Sequence, residues 1–372
     1  MRNLNRIRSS CISMRFCKLA VLGLSTLTFF SASVLHAQTE ATTETPRLQP
    51  AKAVVFEPRG FQEKDGAIPL IAAGETVDPY FATKALLTAH ESGLDIRKSA
   101  EAWIKWLLPR QKKDGRFERF TRQKTAPGKP TVWKATAIAD ADDALMALWV
   151  ELLYAMSPDS GLPEKWKRSV WMAGDHLATL QDKRGYYLIA QDNRVGLLMD
   201  NIEIYNALNS LARERTRMGQ TKEAAATTAR AAKLGEVIRQ VFWNAKEGRF
   251  RVSTQTIPPR EEFYPHSVAQ IFPLLANMPS PLGPDKQVFD RWLTRYGYDW
   301  LWMKRDDYPW GLVALLALRH GEMGVAQSWR NQHQALRFGE FWPVLDEAVY
   351  QVINAKIPLD APLPSPDSRL MP

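Results

Sequence analysis

Two pairs of acids stand three residues apart just ahead of apolar runs: Asp140 and Asp143 in DADDALMALWVELL, and Asp200 and Glu203 in DNIEIYNALNSLA. On a helix, that spacing sets both side chains on one face. Neighbouring carboxyls drive each other's pKa values apart, so one keeps its proton while another stays ionised. Acid–base hydrolysis of a glycosidic bond needs that division of labour. An Asp followed three residues later by an acid also resembles a helix capping box, and capping explains either pair alone as readily as catalysis does. Caps explain less well why polar aromatics accompany the acids. Asp78, Tyr80, Asp142, Tyr205, Tyr264 and His266 lie at or near similar starts, and Asp306 and Asp307 precede another. We take Asp140, Asp143, Asp200 and Glu203 as candidate catalytic groups, with Asp143 or Glu203 as acid and Asp140 or Asp200 as base. Asp78, Tyr80, Asp142, Tyr205, Tyr264 and His266 are the matching substrate-binding candidates. A flat aromatic face packs on the apolar face of a sugar ring. Trp302, Trp310 and Trp342, beside connections, are therefore expected as a sugar platform, whereas Trp103, Trp106 and Trp149 suit helix packing.

Other chemistries lack their residues. The sequence has no G-x-S-x-G elbow, P-loop, G-x-G-x-x-G fingerprint or H-E-x-x-H pair, so neither a nucleotide cofactor nor a metal is expected. Both cysteines, Cys11 and Cys17, lie near the start. His176 sits in a mixed helix and is expected to be structural. The net charge is +9, and removing the five basic residues of positions 1–37 leaves +4, too small a surplus to suggest a nucleic-acid partner.

The elements that must position the acids repeat. Six apolar helical runs begin at Asp78, Asp140, Asp200, Tyr264, Tyr308 and Trp342, the first four spaced 62, 60 and 64 residues apart. Pro79, Pro265, Pro309 and Pro343 fall at or near first turns, where a missing N–H costs nothing. Amphipathic helices are predicted between them at 98–111, 164–181, 222–242, 286–296 and 324–336. Gly115, Gly185 and Gly248 follow three of these and precede short β-like segments. An apolar helix alternating with a mixed one implies an inner ring inside an outer ring. The expected fold is all-α, an (α/α)6 toroid of six inner and about six outer helices, with short β-like hairpin connections. Inner helices running one way gather their N-termini, and so the acids, at one mouth.

Five basic residues, an apolar run from Leu19 to Phe30 and small residues up to Ala37 read as a cleaved export signal. The expected organisation is a signal peptide at 1–37, an extended N-terminal segment at 38–75, the toroid at 76–360 and a C-terminal tail at 361–372. A periplasmic or secreted monomer follows, without stable membrane insertion once the signal is removed.

The strings GLLMDNIEIYNAL, FYPHSVAQIFPLL, DPYFATKAL and DADDALMAL resemble bacterial proteins of the six-hairpin glycosidase-like superfamily, from about Asp78 to Lys356. The resemblance implies that Asp140 and Asp143 match a two-acid motif on the second inner helix, and Asp200 and Glu203 an MDN-x-E motif. His266 departs from it, standing where an acid is expected. DADDALMA also looks like the Asp-Ala-Asp signature of family 8 glycoside hydrolases, but no Ser-Glu-Gly-x-x-Tyr-Gly motif stands near 75–81. Three functions remain open. The first is an exported glycoside hydrolase cleaving a polysaccharide or oligosaccharide with two carboxylates, inverting as enzymes on this fold mostly are. The second is a polysaccharide lyase using Tyr205, Tyr264 or His266 as base. The third is a non-catalytic glycan-binding component of polysaccharide export.

Overall fold

A computed structural model describes residues 53–123, 131–255 and 261–371; the expected signal peptide lies outside them. Six inner elements follow one another around a ring: α1 (Pro79–Glu91), α3 (Asp142–Ala155), α5 (Leu198–Arg217), α7 (Phe272–Leu275), α9 (Gly311–Arg319) and α11 (Val344–Lys356). Each packs on the next, and α11 closes back onto α1. Outer helices alternate with them: α2 (Arg97–Leu107), α4 (Glu164–Thr179), α6 (Thr221–Phe242), α8 (Asp285–Leu301) and α10 (Met323–His333). α2, α4, α6 and α10 lie against α1, α3, α5 and α9. Among the inner helices α3 buries every residue from Asp142 through Tyr154 and α9 every residue from Gly311 through Ala317, whereas the outer helix α4 buries one stripe. Trp103 and Trp149 are fully buried, and Trp103 stacks on Trp106 at 5.4 Å, as helix packing requires.

Five outer α-helices stand among the described residues, not six. The N-terminal segment occupies the flank of α11 instead. Glu57 donates its N–H to Gln351 Oε1 at 3.0 Å and receives the Gln351 amide at 2.6 Å, and Val344 N–H bonds Leu70 O at 2.9 Å. Phe56, Phe61, Ala67 and Ile68 are buried with it. These apolar side chains, from the segment expected to be extended, belong to the core. The C-terminal end is packed too: Leu370 is buried against α8.

The connections carry short strands. β1 (Thr76–Val77), β2 (Glu118–Gln123) and β3 (Val132–Ile138) form an antiparallel sheet, and β4 (Trp243–Asn244) pairs with β5 (Arg249–Phe250). Gly115, Gly185 and Gly248 all have positive φ, as the helix-ending role demands. At Gly115 (φ 91°) a Cβ would stand 2.2 Å from the Met172 carbonyl oxygen, so the turn ahead of β2 can lie close on α4 only without a side chain there. The run from Tyr264 departs from the expected helix. It folds as a π turn (Phe263–Ser267) and a 3-10 turn (Val268–Ile271) before the single turn of α7, and its Tyr264–Pro265 peptide is cis. No helix among the described residues is long and apolar enough to cross a membrane.

Candidate active site

Capping accounts for only one of the acids. Asp78 caps α1, taking the Tyr80 N–H at 3.1 Å. α3 instead starts from Ala141 in the left-handed region, leaving Asp140 outside the helix and exposed, while α5 starts after Leu197 with no side-chain cap. The pairs Asp140/Asp143 and Asp200/Glu203 are thus not capping boxes.

Asp143 and Asp200 meet at the N-terminal ends of α3 and α5. Asp143 is wholly buried in the first turn of α3. Burial pushes its pKa up to about 7, with the charge of Asp142 adding. Asp200 is raised well above the carboxylate range by burial, then by the charges of Asp143, Glu203 and Asp140. Two buried carboxyls side by side hold together when one keeps a proton and donates it to the other. Asp140 stands exposed beside this pair, its N–H held by the Asp78 carboxylate at 3.2 Å.

Glu203, one helical turn beyond Asp200, is engaged differently. Its Oε1 receives the Tyr80 hydroxyl at 2.8 Å and lies 3.1 Å from Lys84 Nζ, while Oε2 is buried without a partner. Burial opposes the charge on Lys84, but Glu203 and the more distant Glu91 outweigh it and raise the pKa. Burial and then Glu203 and Asp200 hold the Tyr80 proton well above its ordinary range.

Several expected ligands play structural parts. Asp78 is 1% exposed, and its Oδ2 pairs with Arg119 of β2 at 2.7 Å, so it ties α1 to the sheet and to the turn before α3 instead of facing a ligand. Asp142 turns outward to His176 Nε2 at 2.7 Å, joining α3 to α4. His176 is thereby structural, as expected. Trp342 is fully buried, stacked on Trp329 and donating to Glu347 at 3.0 Å, because its ring fills the space behind α11. Trp302 donates to the Leu370 carbonyl at 2.9 Å and braces the C-terminal turn. Tyr205 packs beside Gly235 of α6 and lines a cavity at the other end of the ring. His266 Nδ1 accepts the Glu262 N–H at 3.2 Å.

Two of the aromatics do assemble with the acids. Tyr264 stacks on Trp310 with centroids 5.0 Å apart and planes 19° apart, and Tyr308 meets the same indole edge-on. Tyr264 is 46% exposed. Burial, then the charges of Asp200, Asp140 and Glu203, push its pKa up to about 12. Lys84, Arg119 and Asp346 were not foreseen. Asp346, in the first turn of α11, is buried with its pKa pushed up to about 7, and its Oδ1 takes the Gly311 N–H at 2.6 Å. It obeys the same rule of acids at inner-helix starts that singled out Asp143. Among the described residues no group of three or more His, Cys, Asp or Glu is placed to hold a metal ion.

No family model matches the sequence, and no curated protein matches it. Solved structures do match the fold. A rhamnosidase from Klebsiella oxytoca, with rhamnose bound, superposes with a TM-score of 0.50 at 9% identity, over 78% of this chain and 60% of its own. The chain thus spans less than two thirds of that enzyme's length. A protein described as an uncharacterized conserved protein from Thermus thermophilus matches with a TM-score of 0.50 at 10% identity, over 80% of this chain and 97% of its own. The likeness shows a shared fold, the (α/α)6 toroid. This chain's closed ring of inner helices is the toroid expected from the repeat, and the mouth at their N-termini is where Asp140, Asp143 and Asp200 converge.

Proposed function

We propose that the protein is an exported glycoside hydrolase in which the Asp143–Asp200 pair supplies the proton and Asp140 activates water. The observation that carries this reading is the juxtaposition of a buried, proton-sharing carboxyl pair, an exposed third carboxylate and the Tyr264–Trp310 stack at one mouth. The pair donates its proton to the glycosidic oxygen as the bond to the anomeric carbon breaks. Asp140 takes a proton from the water whose oxygen bonds that carbon, the order of events in an inverting hydrolase. Tyr264 and Trp310 offer the sugar a ring face, while Glu203, neutralised by Lys84 and held by Tyr80, orients the pair and is not itself the donor.

The lyase alternative finds little support. Tyr264 holds its proton up to about 12 among carboxylates, and those carboxylates repel a uronate chain. The test is release of reducing ends from a panel of exopolysaccharides by the mature chain, with Asp140→Asn, Asp143→Asn and Asp200→Asn alongside. Each substitution is expected to cost at least about a hundredfold in turnover. Full activity in both Asp143→Asn and Asp200→Asn would refute the assignment. Binding without cleavage by the unsubstituted chain would favour the glycan-binding reading.

A further inference from the structure

The described residues form a second recess besides the mouth. A cavity of about 790 Å³ lies at the opposite end, where α1, α3 and α9 finish. Its origin is in the fold: α7 ends at Leu275 after one turn and Asn277 enters the left-handed region, so the inner element on that side of α5 is far shorter than α5 itself. His90, Glu91, Glu151, Asn206, Asn209 and Arg319 reach this space.

The polar groups there are asymmetric in a telling way. Glu91 is satisfied: Asn206 donates to its Oε1 at 3.0 Å, the Ser210 hydroxyl at 3.3 Å, and Arg319 stands 3.7 Å from Oε2. Glu151 is 3% exposed and has no ion pair among the described residues, yet it borders the cavity beside Glu91 and Ser210. Burial and then the neighbouring Glu91 push its pKa up to about 8, so it stands beside the pocket as a neutral acid that both donates and accepts. Arg213 adds a guanidinium at the rim, held to Ser210 at 2.8 Å, so acceptors and donors alternate around the cavity and neither sign of charge prevails. Hydroxyl groups, which donate and accept at once, satisfy such a lining, and neither a strong anion nor a strong cation does. The volume falls in the range of about 300–1,000 Å³ typical of small-molecule sites.

We propose that this cavity is a second ligand site, distinct from the carboxylate mouth, which takes a neutral polyhydroxylated ligand of mono- or disaccharide size. It is not an extension of the first site. The small pocket that adjoins it on the side of Lys84 and Glu203 holds only about 30 Å³, too little for a sugar ring.

The test uses the whole mature chain and follows the His90 ring signals by NMR during titration with glucose, mannose, rhamnose and cellobiose. At least one sugar is expected to shift His90 saturably. Asn209→Leu and Arg213→Ala, both away from the mouth, are expected to weaken that response about tenfold, the loss of about one hydrogen bond, with an unchanged melting temperature. Asp143→Asn is expected to leave the His90 titration intact whether or not it removes cleavage, which separates this site from the hydrolase assignment. No response to any of the four sugars, an equal response in both cavity variants, or loss of the response in Asp143→Asn would overturn the proposal.

Discussion

Asp143 makes the sharpest demand on pH. Its carboxyl is pushed up to about 7 by burial, and Asp200 is raised further. The pair donates only while it holds a proton, so turnover is expected to fall on the alkaline side, once pH passes the higher of the two raised values and well above the ordinary carboxylate range, a limb that a pH–rate profile of the cleaved glycan displays. Lys84 makes a different demand. Lys84→Met would leave Glu203, 2% exposed, as a buried charge with no cation, at a cost of about 3–5 kcal/mol. Adding Glu203→Gln should recover much of that loss, because it removes the stranded charge. Urea unfolding of the single and double variants measures both, and a silent Lys84→Met would contradict the pairing. At this scale the sequence was half legible. Asp140, Asp143 and Asp200 could be found because their spacing is local. The Lys84–Glu203 and Arg119–Asp78 pairs could not, because each joins residues brought together only by ring closure. The roles of Asp142 and Trp342 were misread for a related reason: sequence places them at a helix start but does not reveal which way the side chain turns.

Among the elements, the glycines after outer helices are the most exposed to test. Gly115→Ala would force an L-residue into φ 91° and set a Cβ against the Met172 carbonyl, so a loss of at least about 2 kcal/mol is expected in thermal or urea unfolding. Helix starts, the alternation of apolar and mixed helices and the glycine punctuation were readable because each is a short-range pattern with one physical cause. The fourth inner element was not. Its string, YPHSVAQIFPLL, has helical apolar spacing, yet Pro265 and Pro273 remove two N–H donors within nine residues, and the chain settles into π, 3-10 and α turns in succession.

The molecule as a whole buries an unusual set of acids, and this sets its response to pH. Asp143 and Asp346 are raised to about 7 and Glu151 to about 8. In the unfolded chain these groups lose their protons near pH 4, so between pH 4 and about 8 the folded state binds more protons than the unfolded one. Stability is therefore fully present below the unfolded values and declines as pH rises through the folded ones. Melting temperatures measured from pH 5 to pH 8 should fall, less steeply in Asp346→Asn, whose amide has no proton to lose. The ring, its closure and the mouth were legible because a repeat near 62 residues admits few arrangements. The missing outer helix was not, because a non-helical segment shows no period.

That segment has one more effect. Glu57 and Gln351 bind each other from positions 294 residues apart. Whatever hairpins form on the ribosome, the circle stays unlocked until the last inner helix has emerged to receive the first stretch of the body, so trimming either side of this clasp should loosen both together.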